Sequence, residues 1–299
     1  MAGTRCSRPQ VNVMGTLTAT TPTPQDPLES LSTLVNLPPF PLVALRALNV
    51  LSGTDGSLRE LSDLIRRDPV FAAEILRLAN SPLVAFSKEI TSVLQASMLL
   101  GFRRLRRLIM TVGLRSYMDT SFTRALHACW RHSVATAMVA ERIARWNSID
   151  RDFAYTAGIL HDIGRVALAN INSRIYADLI DRVAAFPQCD MLKCEREAFG
   201  IDHCCAGRLL VMTWKLPEEF IDITSRHHEP LTHQENATEV VRHSCILADA
   251  LGFAAAPHKS VPTFEEVLAE FPESVRKHFP GNEELASEIA NEISVIEAA

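Results

Sequence analysis

From Leu28 to Leu251 the apolar residues recur every three or four positions, the spacing that lays one stripe along an α-helix. No run of strict alternation is long enough to build a sheet, so the fold class is all-α. Helices are predicted at 42–51, opened by Leu37-Pro38-Pro39-Phe40-Pro41, and from Ser57, where Ser57 and Glu60 form a capping box ahead of Leu61, Leu64 and Ile65. Asp68 caps a third helix with Pro69 at its first position, and Asn80-Ser81-Pro82 ends it. Gly101 separates helices at 92–100 and 104–114. The second half continues with helices at 121–146, 150–160, 174–185, 191–199, 202–214, 217–227 and 238–251, and with acidic helices at 264–271 and 283–296.

Composition adds limits. A chain of 299 residues with 47% hydrophobic content can bury a large core. Residues 1–27 are rich in Thr and Pro and lack periodicity, so they are expected to be disordered and are excluded from the fold. With no apolar run of membrane-spanning length and no apolar core in the first residues, the expected location is cytoplasmic, without membrane insertion. Seven cysteines, an odd number without CxxC spacing, read as reduced thiols and argue against zinc held through cysteine. The net charge of −5 is uneven: residues 260–299 carry nine Glu against Arg276 and Lys277, a balance of −7 that leaves the rest at +2. A nearly neutral body does not imply global nucleic-acid steering.

Candidate chemistry centres on Gly158-Ile159-Leu160-His161-Asp162-Ile163-Gly164, an imidazole beside a carboxylate at the end of an apolar helix. Such a pair suits a cation that handles phosphate oxygens. All ten histidines lie after position 126. His132 stands in mid-helix, His203 follows a turn at Gly200, and His227-His228-Glu229-Pro230 ends another helix. Asp249 interrupts the apolar helix Cys245-Ile246-Leu247-Ala248-Asp249, where a buried carboxylate needs a partner. Separately, Arg103, Arg104, Arg106 and Arg107 place four guanidiniums within about a turn and a half of helix, enough for an acidic partner or a phosphate. Their opposite charge makes the acidic tail a candidate to fold back over them.

The ordered series His132, His161-Asp162, His203, His227-His228, Asp249 resembles the HD superfamily of metal-dependent phosphohydrolases. Within it, the closest similarity is to the HDOD domain. That resemblance is carried by Leu37-Pro38-Pro39-Phe40-Pro41, Ile65-Arg66-Arg67-Asp68-Pro69, Leu76-Arg77-Leu78-Ala79-Asn80-Ser81, the stretch from Ile90 to Gly101-Phe102, Trp130-Arg131-His132-Ser133, and Trp214-Lys215-Leu216-Pro217 with His227-His228-Glu229-Pro230.

The resemblance implies a two-lobed helical bundle over 28–255, with an N-terminal lobe at 28–118, an HD-like lobe at 119–255, and an acidic helical tail at 256–299. It implies His132, His161, Asp162 and Asp249 around one divalent metal (Fe, Mn, Mg or another) and His203, His227 and His228 around a second, with Asp162 bridging. Arg165 falls where the related HD-GYP phosphodiesterases carry a lysine. If the site is catalytic, Asp162 and Arg165 are its working residues. One departure stands out: His227-His228-Glu229 runs into Pro230-Leu231-Thr232-His233 and lacks the Gly-Tyr-Pro segment of the HD-GYP enzymes. The resemblance therefore implies first a bacterial signalling or regulatory protein, in stress, motility or virulence responses, that binds signalling proteins or a small phosphorylated ligand. Second comes a metal-dependent phosphohydrolase of a nucleotide or cyclic dinucleotide. Nucleic-acid binding ranks last.

Overall fold

A computed structural model describes residues 37, 40–52, 58–81, 90–118, 124–186, 188–230, 236–256 and 261–297. The segment 1–27 and the cap expected at Ser57 lie outside them. Among the described residues every regular element is helical. The N-terminal group comprises α1 (Leu42–Ser52), α2 (Leu58–Arg66), α3 (Pro69–Ala79) and α4 (Val93–Met118). Asp68 accepts from the Phe71 amide at 3.1 Å, the expected cap. Asn80 closes the following loop: its Nδ2 donates to the Ile90 carbonyl at 2.8 Å while its Oδ1 accepts from the Ile90 amide at 2.7 Å. Gly101 bends α4 with φ 70°, a left-handed value at which a side chain is strained, so the expected break becomes a kink between two helical stretches.

The second group contains α5 (Arg124–Ala144), α6 (Arg151–Leu160), α7 (Ile163–Ile171), α8 (Ser173–Ala185), α9 (Met191–Phe199), α10 (His203–Thr213), α11 (Glu219–Arg226) and α12 (Ala237–Ala250). Helix α7, which starts directly after Asp162, was not among the predicted elements; the apolar run on both sides of the His-Asp pair hides the boundary. α5 lies along α6 and α12, and α10 packs on α7 and α11. α4 joins the groups through α6, and Phe40, Tyr117 and Trp214 meet with ring centroids 5.3–5.9 Å apart.

Two glycines let these helices approach. A Cβ on Gly158 would lie 2.5 Å from the Ala137 backbone of α5, and one on Gly164 only 1.8 Å from the His203 carbonyl of α10. The glycines flanking His161-Asp162 thus bring α5, α6, α7 and α10 together around it.

The acidic tail forms α13 (Phe264–Ala269), α14 (Glu273–Arg276) and α15 (Asn282–Glu297). Helix α15 buries Leu285, Ile289, Ile293 and Ile296, worth about 1.5–3 kcal/mol each by area. Its carboxylates meet the arginines of α4 and α5: Glu288 and Arg142 at 2.7 Å, Glu292 and Arg107 at 3.9 Å, Glu297 and Arg131 at 3.0 Å. Apolar burial dominates this docking, since partly exposed ion pairs contribute less than about 1 kcal/mol.

Three substitutions test this packing by chemical denaturation. Gly164→Ala is expected to cost at least about 1–3 kcal/mol because backbone must move to admit the methyl. In α15, Ile289→Ala is expected to cost about 2–5 kcal/mol and Glu288→Gln less than about 1 kcal/mol. Equal losses at the two α15 positions would contradict the docking account.

Candidate metal centre

The histidines converge from four elements. His132 comes from the middle of α5, His161 and Asp162 from the α6–α7 junction, His203 from the first turn of α10, and His227 from the end of α11. These residues are 0–3% exposed, so the cluster is buried, and exposed His228 marks its open side.

Each imidazole is fixed through Nδ1. His161 Nδ1 donates to the Gly158 carbonyl at 2.7 Å, and His227 Nδ1 to the Ile223 carbonyl at 3.1 Å. His203 Nδ1 donates to Glu195 Oε2 at 2.6 Å, an oxygen that also accepts from the His203 amide at 2.9 Å. His132 Nδ1 faces the Phe253 carbonyl at 3.0 Å and Asp249 Oδ1 at 3.2 Å. Carbonyl and carboxylate oxygens only accept, so each Nδ1 holds a hydrogen and each Nε2 turns toward the centre as a ligand atom.

Asp162 stands between two donor groups. Its Oδ2 is 3.8 Å from Nε2 of both His132 and His161, and its Oδ1 is 3.3 Å from His203 Nε2 and 3.1 Å from His227 Nε2. His132 Nε2 and His161 Nε2 are only 3.2 Å apart. Two lone pairs at that distance repel unless a proton or a metal ion lies between them. Burial opposes charge on His132, but Cys245 and Asp249 more than offset it and hold its pKa well above the ordinary histidine value. Burial lowers His161 to about 3, leaving it neutral at physiological pH.

The donor set fits a divalent cation. His203 Nε2 is buried without a hydrogen-bond partner among the described residues. The ligand atoms of Asp162, His203, His227 and His228 lie within 4.8 Å of one another, as do those of His132, His161 and Cys245. Imidazole with carboxylate suits Fe, Mn or Zn, and the thiol adds a softer donor on the His132 side. Buried charge at the centre is mixed: Asp162 and Glu195 face His132, whose pKa is raised, and Arg165, whose Nε is 2.7 Å from Asp162 Oδ2 and whose Nη1 is 3.6 Å from Glu195 Oε1. Burial alone would raise Asp162, yet Arg165 and His161 hold its carboxyl well below the ordinary range, as a carboxylate.

Some residues fall in places the sequence did not indicate. Asp249 lies behind His132 at Nδ1, while Cys245, one turn earlier on α12, faces Nε2 at 3.4 Å. Cys245 could have been found because positions i and i+4 share a helix face; Glu195, on a different helix from His203, left no such signal. Arg242 also escaped notice. It is buried, pairs with Glu239, and donates to the carbonyls of Arg226 at 2.9 Å and Pro230 at 3.0 Å, holding the turn that carries His227-His228. Arg165 reaches inward onto Asp162 as an anchored ion pair.

The four arginines of α4 do not form one patch. Arg103 pairs with Asp152 at 3.2 Å, and charge attraction to Asp152 and Asp150 acts on half-buried Arg106. Arg107 pairs with Glu141 at 3.2 Å and lies 4.7 Å over the Tyr155 ring, and Arg104 is exposed.

Because Glu195 orients His203, Glu195→Gln is expected to weaken metal affinity about 10–100-fold while leaving helix content intact. Chelator competition with Mn²⁺ or Zn²⁺ measures it, and unchanged affinity would remove His203 from the centre.

Residues 37–230 match the family model of the HDOD domain. The fold is similar to that of an HDOD domain protein of unknown function from Geobacter sulfurreducens, at 25% identity and a TM-score of 0.68, covering 92% of this chain and 98% of that one. A candidate phosphohydrolase from Shewanella amazonensis shares the fold at 20% identity and a TM-score of 0.63, covering 90% of this chain and 95% of that one. So does a candidate signal transduction protein from Marinobacter aquaeolei, at 22% identity and a TM-score of 0.68, where 88% of this chain covers 60% of that one. No curated protein sequence matches the chain. No described helix is long and apolar enough to cross a membrane. The matched segments, the helical fold and the convergent histidines give one conclusion: the chain belongs to the HDOD domain family.

Proposed function

We propose that this HDOD protein is a bacterial signal-transduction component whose divalent metal centre is a structural or sensing element, and that it acts by binding a signalling protein or a small phosphorylated ligand. Stress, motility or virulence regulation is the process proposed for it, and 28–255 is proposed as the working unit with lobes at 28–118 and 119–255. The observation that carries this reading is the burial of the centre: its five inner ligand residues are 0–3% exposed, with His228 alone of the candidate ligand residues on the outside, and Arg165 is anchored on Asp162 at 2.7 Å. A phosphate ester needs an open coordination position and a free cationic clamp. The buried guanidinium holds Asp162 through Nε and is 2% exposed, which keeps its Nη1, without a hydrogen-bond partner among the described residues, away from solvent.

A second reading, a phosphohydrolase acting on a nucleotide or cyclic dinucleotide, is favoured by the position of Asp162, whose two oxygens face separate donor groups. In that case His132, His161, Asp162, Cys245, His203, His227 and His228 would hold divalent ions, which supply a nucleophilic hydroxide and charge stabilisation for phosphate oxygens. This chain's own part would be to fix the ligand tautomers and to hold Asp162 between the two donor groups.

Metal analysis of the purified protein, followed by assay with phosphomonoesters and cyclic dinucleotides in Mn²⁺ or Fe²⁺, separates the readings. The first predicts bound metal, lost in His161→Ala, with turnover no higher than in Asp162→Ala. Turnover in the parent chain that Asp162→Ala and His161→Ala both abolish would establish the second.

A further inference from the structure

Away from the metal centre, α3, α4, α6 and α15 enclose a cavity of about 110 Å³. At roughly 10–15 Å³ per water, it has room for about seven to eleven waters, or a ligand with a similar number of non-hydrogen atoms. Its walls are divided by chemistry. Leu78, Leu100, Leu108, Val295 and Ile296 supply an apolar side, and Arg104 and Arg107 supply a cationic one. The remaining polar edge is the buried pair Thr111 Oγ1 and Tyr155 OH, 2.9 Å apart, with Ser81 and Glu292.

The guanidinium of Arg107 is held but not saturated. Glu141 takes Nη1 at 3.2 Å and the Tyr155 ring lies beneath at 4.7 Å, yet Nε is buried without a hydrogen-bond partner among the described residues. The nearest carboxylate on the cavity side is Glu292, 3.9 Å from Nη2 and beyond hydrogen-bonding distance. A carboxylate beside this cation shows the charge the position attracts, and its long separation leaves donors for a better-placed oxyanion. Arg104 adds a second positive charge.

We propose that this cavity is a binding site for a small amphiphilic organic anion, whose carboxylate or phosphomonoester head meets Arg104 and Arg107 and whose apolar body lies against Leu100, Leu108, Val295 and Ile296. The site is independent of the metal centre. Because α15 contributes one wall and the competing carboxylate Glu292, ligand binding and the docking of α15 are linked: the ligand head replaces Glu292 beside Arg107.

Isothermal titration of the full chain tests this with phenyl phosphate, hexanoate, inorganic phosphate and hexanol as probes. Phenyl phosphate and hexanoate are expected to bind at least tenfold more tightly than either inorganic phosphate or hexanol. Comparing phenyl phosphate with hexanoate identifies the preferred head. Arg104→Gln and the cavity-filling Val295→Phe are each expected to weaken binding of the better probe at least tenfold, Glu292→Gln to tighten it, and His161→Ala to leave it unchanged. The site is refuted if inorganic phosphate binds as tightly as phenyl phosphate, if no probe binds, or if Val295→Phe retains full affinity with native helix content. Loss of binding in His161→Ala would instead assign the ligand to the metal centre.

Discussion

The whole second half of the molecule depends on one electrostatic constraint: imidazole Nε2 atoms from separate helices are gathered around the buried Asp162 carboxylate. Their Nδ1 hydrogens are committed to acceptors behind them, so the histidines cannot relieve the crowding by turning over. At 3.2 Å, His132 Nε2 and His161 Nε2 need a proton or a metal ion between them. A lone buried histidine satisfied by a carbonyl would be an ordinary core residue; several so oriented toward one carboxylate form a ligand cage.

The fold meets this constraint through close backbone approach. Gly158 and Gly164 flank the His-Asp pair and bring α6 onto α5 and α7 onto α10. Arg165 provides the counterweight. Its guanidinium lies between Asp162 and Glu195, so two carboxylates can share a buried region. The same residue is 2% exposed, so its guanidinium supports Asp162 from inside the fold rather than from the surface.

Much of this was legible in the sequence because local signals dominate a helical protein. The Asp68 cap, the break at Gly101 and the helix from Met191 to Phe199 follow from short-range chemistry, and the order of the histidines marked the centre. What escaped depended on tertiary geometry. Helix α7 follows α6 after only two residues, so periodicity alone did not separate them. Glu195 supports His203 from another helix, and the exchange of roles between Cys245 and Asp249 depends on how α12 is rotated against α5. The arginine run is the complementary case: neighbours in sequence diverge around a helix, which sends Arg103 to Asp152 and Arg107 to Glu141 and Tyr155.

X-ray absorption at the metal edge of protein loaded with Zn²⁺ or Fe²⁺ tests the central claim most directly. The account predicts multiple scattering from several imidazoles, with nitrogen ligands at about 2.0–2.1 Å for zinc, diminished in His161→Ala. A shell of water and carboxylate oxygen alone, unchanged by that substitution, would contradict it.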